Sequence, residues 1–358
     1  MYGGRLAGQG TYGCVFQPAL LCRGKNHAID SKKVGKVTSH VDARNELEIS
    51  AYIHTIPESN RYTIIPEQDS CIPRARSKQS ETDIDTCGFL QETQIKDTIQ
   101  LVMPWGGYPM SRINMDPSTF DYYRFVEEVL AVGAFFVLND LCHFDIWGQN
   151  FLFDSNNTPR LIDYGFAFRP STLKPSDLPM RWRTIDVEHD TETPEVILMV
   201  GTQHGLDIHT LGREVRLSKP AVQRLVALCN VNPTHWTEGL IEWAEESKSF
   251  QRHDWLSCWK LYWPGFDAWS IGALLLQVLE LQIAIPSFTQ DSRWTKRSSL
   301  IKEVMRGLCR GNPAKRLDAA EALSLWTNGA HPLIADGSPG SVWVQAKQKA
   351  KQHIRPRV

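Results

Sequence analysis

Between His143 and Asn150 the chain reads His143-Phe144-Asp145-Ile146-Trp147-Gly148-Gln149-Asn150, with one carboxylate and one amide separated by four residues. A second carboxylate follows in Leu161-Ile162-Asp163-Tyr164-Gly165. Asp145 is placed to accept a proton from a hydroxyl. Asn150 and Asp163 offer hard oxygen atoms of the kind Mg²⁺ prefers. Near the N-terminus, Gly8, Gly10 and Gly13 form G-x-G-x-x-G, with Val15 two residues on. Glycines let a backbone approach phosphate oxygens with its N–H groups free. These residues suit acid–base work on a hydroxyl beside a phosphate and a divalent cation.

The elements that must hold them are legible in part. Cys-Val-Phe after Gly13 is strand-like, and no acid closes a second βα unit about 20 residues on, so the glycines open a strand-loop-strand rather than a dinucleotide site. Cys14 is read as a small strand residue. Lys33-Val34-Gly35-Lys36-Val37-Thr38 alternates as a half-buried strand and carries Lys36; Lys32 and Lys33 compete with it as cations. Ser39-His40-Val41-Asp42 predicts a helix start, followed by an apolar stripe of Ile49, Tyr52, Ile53 and Ile56. Glu46 and Glu48 lie about 200° apart on that helix, so only one can face Lys36. Ile64-Ile65 and Gly88-Phe89-Leu90 are expected strands, and Arg74 to Asp85 a solvated loop. Ile99 to Met103 is expected to be a buried strand running into Pro104-Trp105-Gly106-Gly107. Phe120 to Cys142 is apolar at helical spacing.

Composition sets bounds. The chain has 358 residues, 42 % of them hydrophobic, enough for one large domain or two lobes. The formal net charge of −1 gives no global field favouring nucleic acid or a membrane. The N-terminus lacks the apolar stretch of a secretory signal. The run Trp269 to Pro286 is broken by Gln277, Glu280 and Gln282 and is expected to be a buried helix. Eight cysteines without C-x-x-C or zinc spacing imply reduced thiols in an intracellular, cytoplasmic protein.

The order His-x-Asp-x4-Asn, then Asp-aromatic-Gly, resembles the catalytic loop and metal-binding motif of the protein kinases. The resemblance runs from Gly8 to about Trp326. It implies an α+β, bilobal fold: a small β-rich lobe over 1–105, a large helical lobe over 106–330, and a basic tail over 331–358. It implies that Lys36, braced by Glu46 with Glu48 as the fallback, holds ATP phosphates. Gly8, Gly10, Gly13 and Val15 would cover the nucleotide. Met103 would sit at the back of the adenine pocket, and Trp105 in the hinge. Asn150 and Asp163 would hold Mg²⁺, and Asp145 would serve the acceptor hydroxyl. Thr193-Pro194-Glu195 resembles the motif closing a kinase activation segment. Phe266-Asp267-Ala268-Trp269-Ser270-Ile271-Gly272 resembles the start of the large lobe's central helix, whose aspartate accepts hydrogen bonds from the catalytic-loop backbone. Asn312-Pro313-Ala314-Lys315-Arg316 resembles the late arginine that pairs with that glutamate. The glycine-loop wording, with Pro18-Ala19-Leu20 and Asn45-Glu46, is similar to serine/threonine-type kinases of large cytoplasmic DNA viruses, which implies host cytoplasm or virion.

Three departures stand out. Trp147 replaces a lysine that serves the transferring phosphoryl group. Phe144 replaces an arginine that usually meets an activation-loop phosphate, so phosphorylation at Ser171, Thr172, Ser176 or Thr184 is expected to be dispensable. Residues 200–264 form an insertion carrying Trp236, Trp243, Trp255, Trp259 and Trp263, either a docking surface or packing, with a helix expected after Ser218-Lys219-Pro220. The tail's Lys347, Lys349, Lys351, Arg355 and Arg357 are either a solvated end or a weak nucleic-acid contact. The expected activity is ATP-dependent phosphoryl transfer to a protein hydroxyl. A kinase-shaped scaffold and a small-molecule kinase are the alternatives; the latter group lacks the closing segment with Glu195 and Arg316.

Overall fold

Period-2 patterning in the first hundred residues becomes a four-stranded antiparallel sheet in the computed structural model, with strand order β1-β2-β3-β4. The structure describes residues 4–10, 12–24, 30–68, 70–79, 83–182 and 186–353. Thr11, Thr184, Arg355 and Arg357 lie outside the described residues. The chain is mixed α and β and divides into two compact units, Met1–Tyr108 with Arg160–Ala167, and Pro109–Pro159 with Phe168–Val358.

In the first unit, β1 (Arg5–Gly10) and β2 (Gly13–Gln17) form a hairpin closed at Gly10 and Gly13. β3 (Lys33–Ser39) pairs with β2 and with β4 (Thr98–Pro104). The register opposes Val15 to Lys36, Lys36 to Leu101 and Val34 to Met103. Because side chains alternate, Val15, Val34, Lys36, Leu101 and Met103 share one face. Cys14, Phe16, Gly35, Val37 and Gln100 share the other. Gly35 is required there: a Cβ would collide with the Gln100 side chain. Gln100 in turn receives the Leu20 amide (2.8 Å) and donates to the Leu20 carbonyl (2.9 Å).

Helix α1 (His40–His54) begins where the cap predicts, with Ser39 Oγ accepting from the Asp42 amide. Its buried stripe is Ala43, Glu46, Ile49, Ser50 and Ile53. Two expected strands are absent. Gly88–Glu92 is helix α2, its turns closed by local bonds such as Thr93 N–H to the Phe89 carbonyl (3.0 Å). Ile64 and Ile65 form no strand; only Thr63 makes an isolated bridge, to Leu161.

The expectation of reduced thiols fails for four of the eight cysteines. Cys14 bonds to Cys87 and Cys22 to Cys71. Spacing in sequence did not show this, because the partners are 73 and 49 residues apart and meet only through the sheet's packing. Cys14 is a strand residue, as read, but a cross-linked one.

The second unit carries α3 (Tyr122–Leu138), α4 (Pro194–Gln203), α5 (Ile208–Ser218), α6 (Pro220–Cys229), α7 (Pro233–Glu246) and α8 (Lys248–Gln251). It continues with α9 (Trp255–Ile283), α10 (Pro286–Gln290), α11 (Ser292–Leu308), α12 (Ala319–Thr327) and α13 (Pro339–His353). Helix α3 packs on α9 and α12 at Gly133, where a Cβ would strike Ile271 and Ala319. Helix α9 is long and apolar enough to cross a membrane, yet 78 % of its most apolar stretch is buried within the protein. It starts at Trp255, so Asp267 lies in its middle rather than near its start, and 255–264 belong to it rather than to an insertion. Pro264 does not end it.

The tryptophans of 200–264 are packing residues rather than an open surface. Trp236, Trp243, Trp259 and Trp263 are buried and Trp255 is half-buried. Trp236 Nε1 donates to the Cys309 carbonyl (2.8 Å) and its ring meets Trp269 (5.9 Å). Within the described part of the basic tail, Lys349 is exposed while two other lysines are engaged. In α13, Lys351 Nζ binds Glu321 (2.6 Å) and the Arg316 carbonyl (2.7 Å), and Lys347 approaches Asp318 (3.8 Å).

Candidate active site

Lys36 sits at the centre of the first unit's charge cluster. Its Nζ donates to Glu46 Oε2 and to Asp163 Oδ1, each at 2.8 Å. Glu46 reaches it because position 46 lies on the buried stripe of α1, while Glu48 faces solvent. Burial acts against the Lys36 charge, but Glu46 and Asp163 outweigh it and hold the ammonium above its ordinary pKa. Burial pushes the Glu46 carboxyl up, opposed by Lys36. Lys33 is the surface cation, paired with Glu67 (2.8 Å).

Asp163 is held in the left-handed region at φ 68°, a conformation that persists only where surrounding structure imposes it. The surroundings are visible. Asn45 Nδ2 lies within hydrogen-bond distance of the carbonyls of Tyr164 (3.0 Å), Gly165 (2.9 Å) and Ala167 (3.0 Å). The buried Tyr164 hydroxyl donates to the Leu161 carbonyl (2.6 Å). Tyr12, at the hairpin tip, meets Phe166 edge-on (5.8 Å). Asn45 is a positioning residue that patterning alone does not single out; its signal is a polar residue beside Glu46 on a helix with an apolar stripe.

Added Cβ atoms at Gly8 and Gly10 would meet nothing within 4 Å. The glycines therefore leave open space beside the hairpin, which a phosphate-covering loop needs. Val15 and Met103 share the Lys36 face, as the register requires. The Trp105 amide donates to the Lys32 carbonyl (2.7 Å).

In the second unit, the loop from His143 to Asn150 is fixed from below. The buried Asp267 accepts from the amides of His143 (2.7 Å) and Phe144 (2.8 Å). Burial raises the Asp267 pKa, against those bonds. Phe144 takes φ 61° and is buried against Trp259 (4.7 Å), Phe266 (5.6 Å) and Phe168 (6.0 Å). Asn150 Nδ2 donates to the carbonyl and to Oδ2 of Asp145, both at 2.8 Å. With both N–H groups used, the acceptor capacity of Asn150 lies in its Oδ1. Trp147 is 37 % exposed. Glu195 and Arg316, both without exposed side-chain surface, form a two-pronged ion pair at 2.6 and 2.8 Å.

Among the described residues, no three His, Cys, Asp or Glu side chains gather as a cation cage. Mg²⁺ accompanying a nucleotide asks less: one or two protein oxygens, the remainder from phosphates and water. Asp163, with a side chain 41 % exposed, and Asn150 each have the chemistry for that. The sequence matches no protein-family model and no curated protein.

Proposed function

We propose that the protein is an ATP-dependent protein kinase that transfers the γ-phosphoryl group to a serine or threonine hydroxyl. The observation that carries the reading is Lys36 held at 2.8 Å by both Glu46 and Asp163. A largely enclosed lysine so braced is held in one place, as a polyanion's partner must be. Lys36 grips ATP phosphates, and the hairpin from Gly8 to Gly13 covers them with backbone amides. Asp163 and Asn150 are the residues that would offer oxygens to Mg²⁺, which would neutralise phosphate charge. Asp145, oriented by Asn150, aligns the acceptor hydroxyl and takes its proton. The proton leaves the acceptor oxygen as that oxygen bonds to phosphorus and ADP departs. Glu195 and Arg316 support a protein acceptor over a small metabolite, since the closing segment they anchor belongs to protein-substrate kinases in the resemblance above.

Phosphate incorporation from labelled ATP and Mg²⁺ into a mixed peptide library tests the reading. Asp145→Asn and Asp163→Ala are each expected to lower it by about 100-fold or more. Trp147 favours a second reading, a kinase-shaped scaffold, because an indole cannot supply the charge of the missing lysine. ATP binding without incorporation into any peptide would establish that reading instead.

A further inference from the structure

We propose that the Cys14–Cys87 disulfide is a redox latch behind the glycine hairpin, on the sheet face opposite Lys36. Cys14 lies between Gly13 and Val15 in β2, opposite Val37. Its neighbour Val15 opposes Lys36, so the sulfur and the Lys36 ammonium project from opposite faces of the same strand pair. Cys87 lies between a single helical turn at Ile84–Thr86 and the short helix α2. That segment covers the β1–β2 hairpin through a small apolar cluster: Cys14, Phe16, Leu20, Val37, Ile84 and Leu90 with Cys87. Few polar bonds assist: the Leu6 amide to Asp83 Oδ2 (3.0 Å), the Asp83 amide to the Gly4 carbonyl (3.0 Å) and the Gly88 amide to Gln9 Oε1 (3.3 Å). The covalent bond is the strongest tie between the glycine hairpin and its cover.

Both sulfurs are fully buried, so a reductant reaches them only through local opening of the hairpin or its cover. Reduction takes two electrons and two protons from a dithiol. The S–S bond breaks, Cys14 and Cys87 become thiols, and the dithiol becomes a disulfide. The four remaining cysteines, Cys142, Cys229, Cys258 and Cys309, are buried in the second unit, and burial raises each thiol pKa. They are poor competitors for exchange, which confines the redox response to the first unit.

The test uses the full chain with Cys22→Ala/Cys71→Ala, so that one disulfide remains. Alkylation under denaturing conditions should count four thiols before and six after treatment with dithiothreitol. Amide hydrogen exchange of 5–17 should then quicken by about tenfold or more, while the amides of α1 keep their protection. The ATP consequence rests on the proposed function: the dissociation constant should rise by about tenfold on reduction and recover on reoxidation. Six thiols before reduction, unchanged exchange of the hairpin, or equal loss of protection in α1 would each overturn the latch. Faster hairpin exchange without ATP binding in either state would uphold the latch and sink the kinase reading.

Discussion

Lys219 shows what a single residue does when the fold surrounds it. It has no exposed surface, and its Nζ donates to the His189 carbonyl (2.6 Å). Burial lowers its pKa to about 8, against the upward pull of Glu192, Asp190, Asp186 and Glu195. The unfolded chain keeps this proton up to the ordinary value of 10.5. Between those values the unfolded state binds more protons, so stability rises with pH across that window. Wild type should gain about 3 kcal/mol over Lys219→Met between pH 7.5 and 10.5. Urea unfolding at several pH values checks it, and parallel curves for the two proteins would contradict it. Lys36 contrasts with Lys219: its side chain is 14 % exposed, it has two carboxylates in direct contact, and it stays charged. Number and proximity of acids, not burial alone, decide the charge state.

Among elements, the instructive joint is between α4 and the turn preceding α12. Pro194 opens α4 and places Glu195 in its first turn, where Arg316 meets it with no exposed surface on either side chain. Arg316 also donates to the Gly265 carbonyl (2.9 Å), tying in the early part of α9. Helix α13 adds the bond from Lys351 Nζ to the Arg316 carbonyl. Removing one partner leaves a buried unpaired charge, so Arg316→Met should cost about 3–5 kcal/mol. Glu195→Met/Arg316→Met should cost clearly less than Arg316→Met alone, because no charge is then stranded. Chemical denaturation of the three proteins measures both.

For the whole molecule, the segment before α4 is already anchored without a phosphate. The Asp190 carbonyl accepts from Trp269 Nε1 (3.1 Å), the Thr191 carbonyl from Ser270 Oγ (2.7 Å), and the Asp190 carboxylate pairs with Arg224. Phe144 is enclosed by aromatic rings and offers no cation to a phosphate. Changing Ser171, Thr172, Ser176 and Thr184 together to alanine should leave peptide phosphorylation within about threefold of wild type, a loss under 1 kcal/mol. Collapse to background in the same assay would show that a phosphate is needed. The disulfides set a second asymmetry: both lie in the first unit, where closing loops of 73 and 49 residues contributes about 4 kcal/mol for the longer one alone.

Some of this was legible beforehand because it is local. Alternation along Lys33–Thr38, the Ser39 cap and the stripe through Ile49 and Ile53 depend on near neighbours, so sequence determined those elements; it left Glu46 and Glu48 both beside the stripe, and the structure buries Glu46. The ordered acids and amide likewise marked the residues that form the clusters around Lys36 and Asp145. Tertiary structure decided the rest. The short helix at Gly88, the disulfide partners of Cys14 and Cys22, the burial of the tryptophans and the docking of α13 all depend on which distant surface lies opposite. Gln100 beneath Gly35, Asn45 at three carbonyls and Lys219 among acids are polar residues whose role comes from the groups they meet. Spacing along the chain records periodicity and local caps; it does not record the long-range contacts that satisfy a buried polar atom.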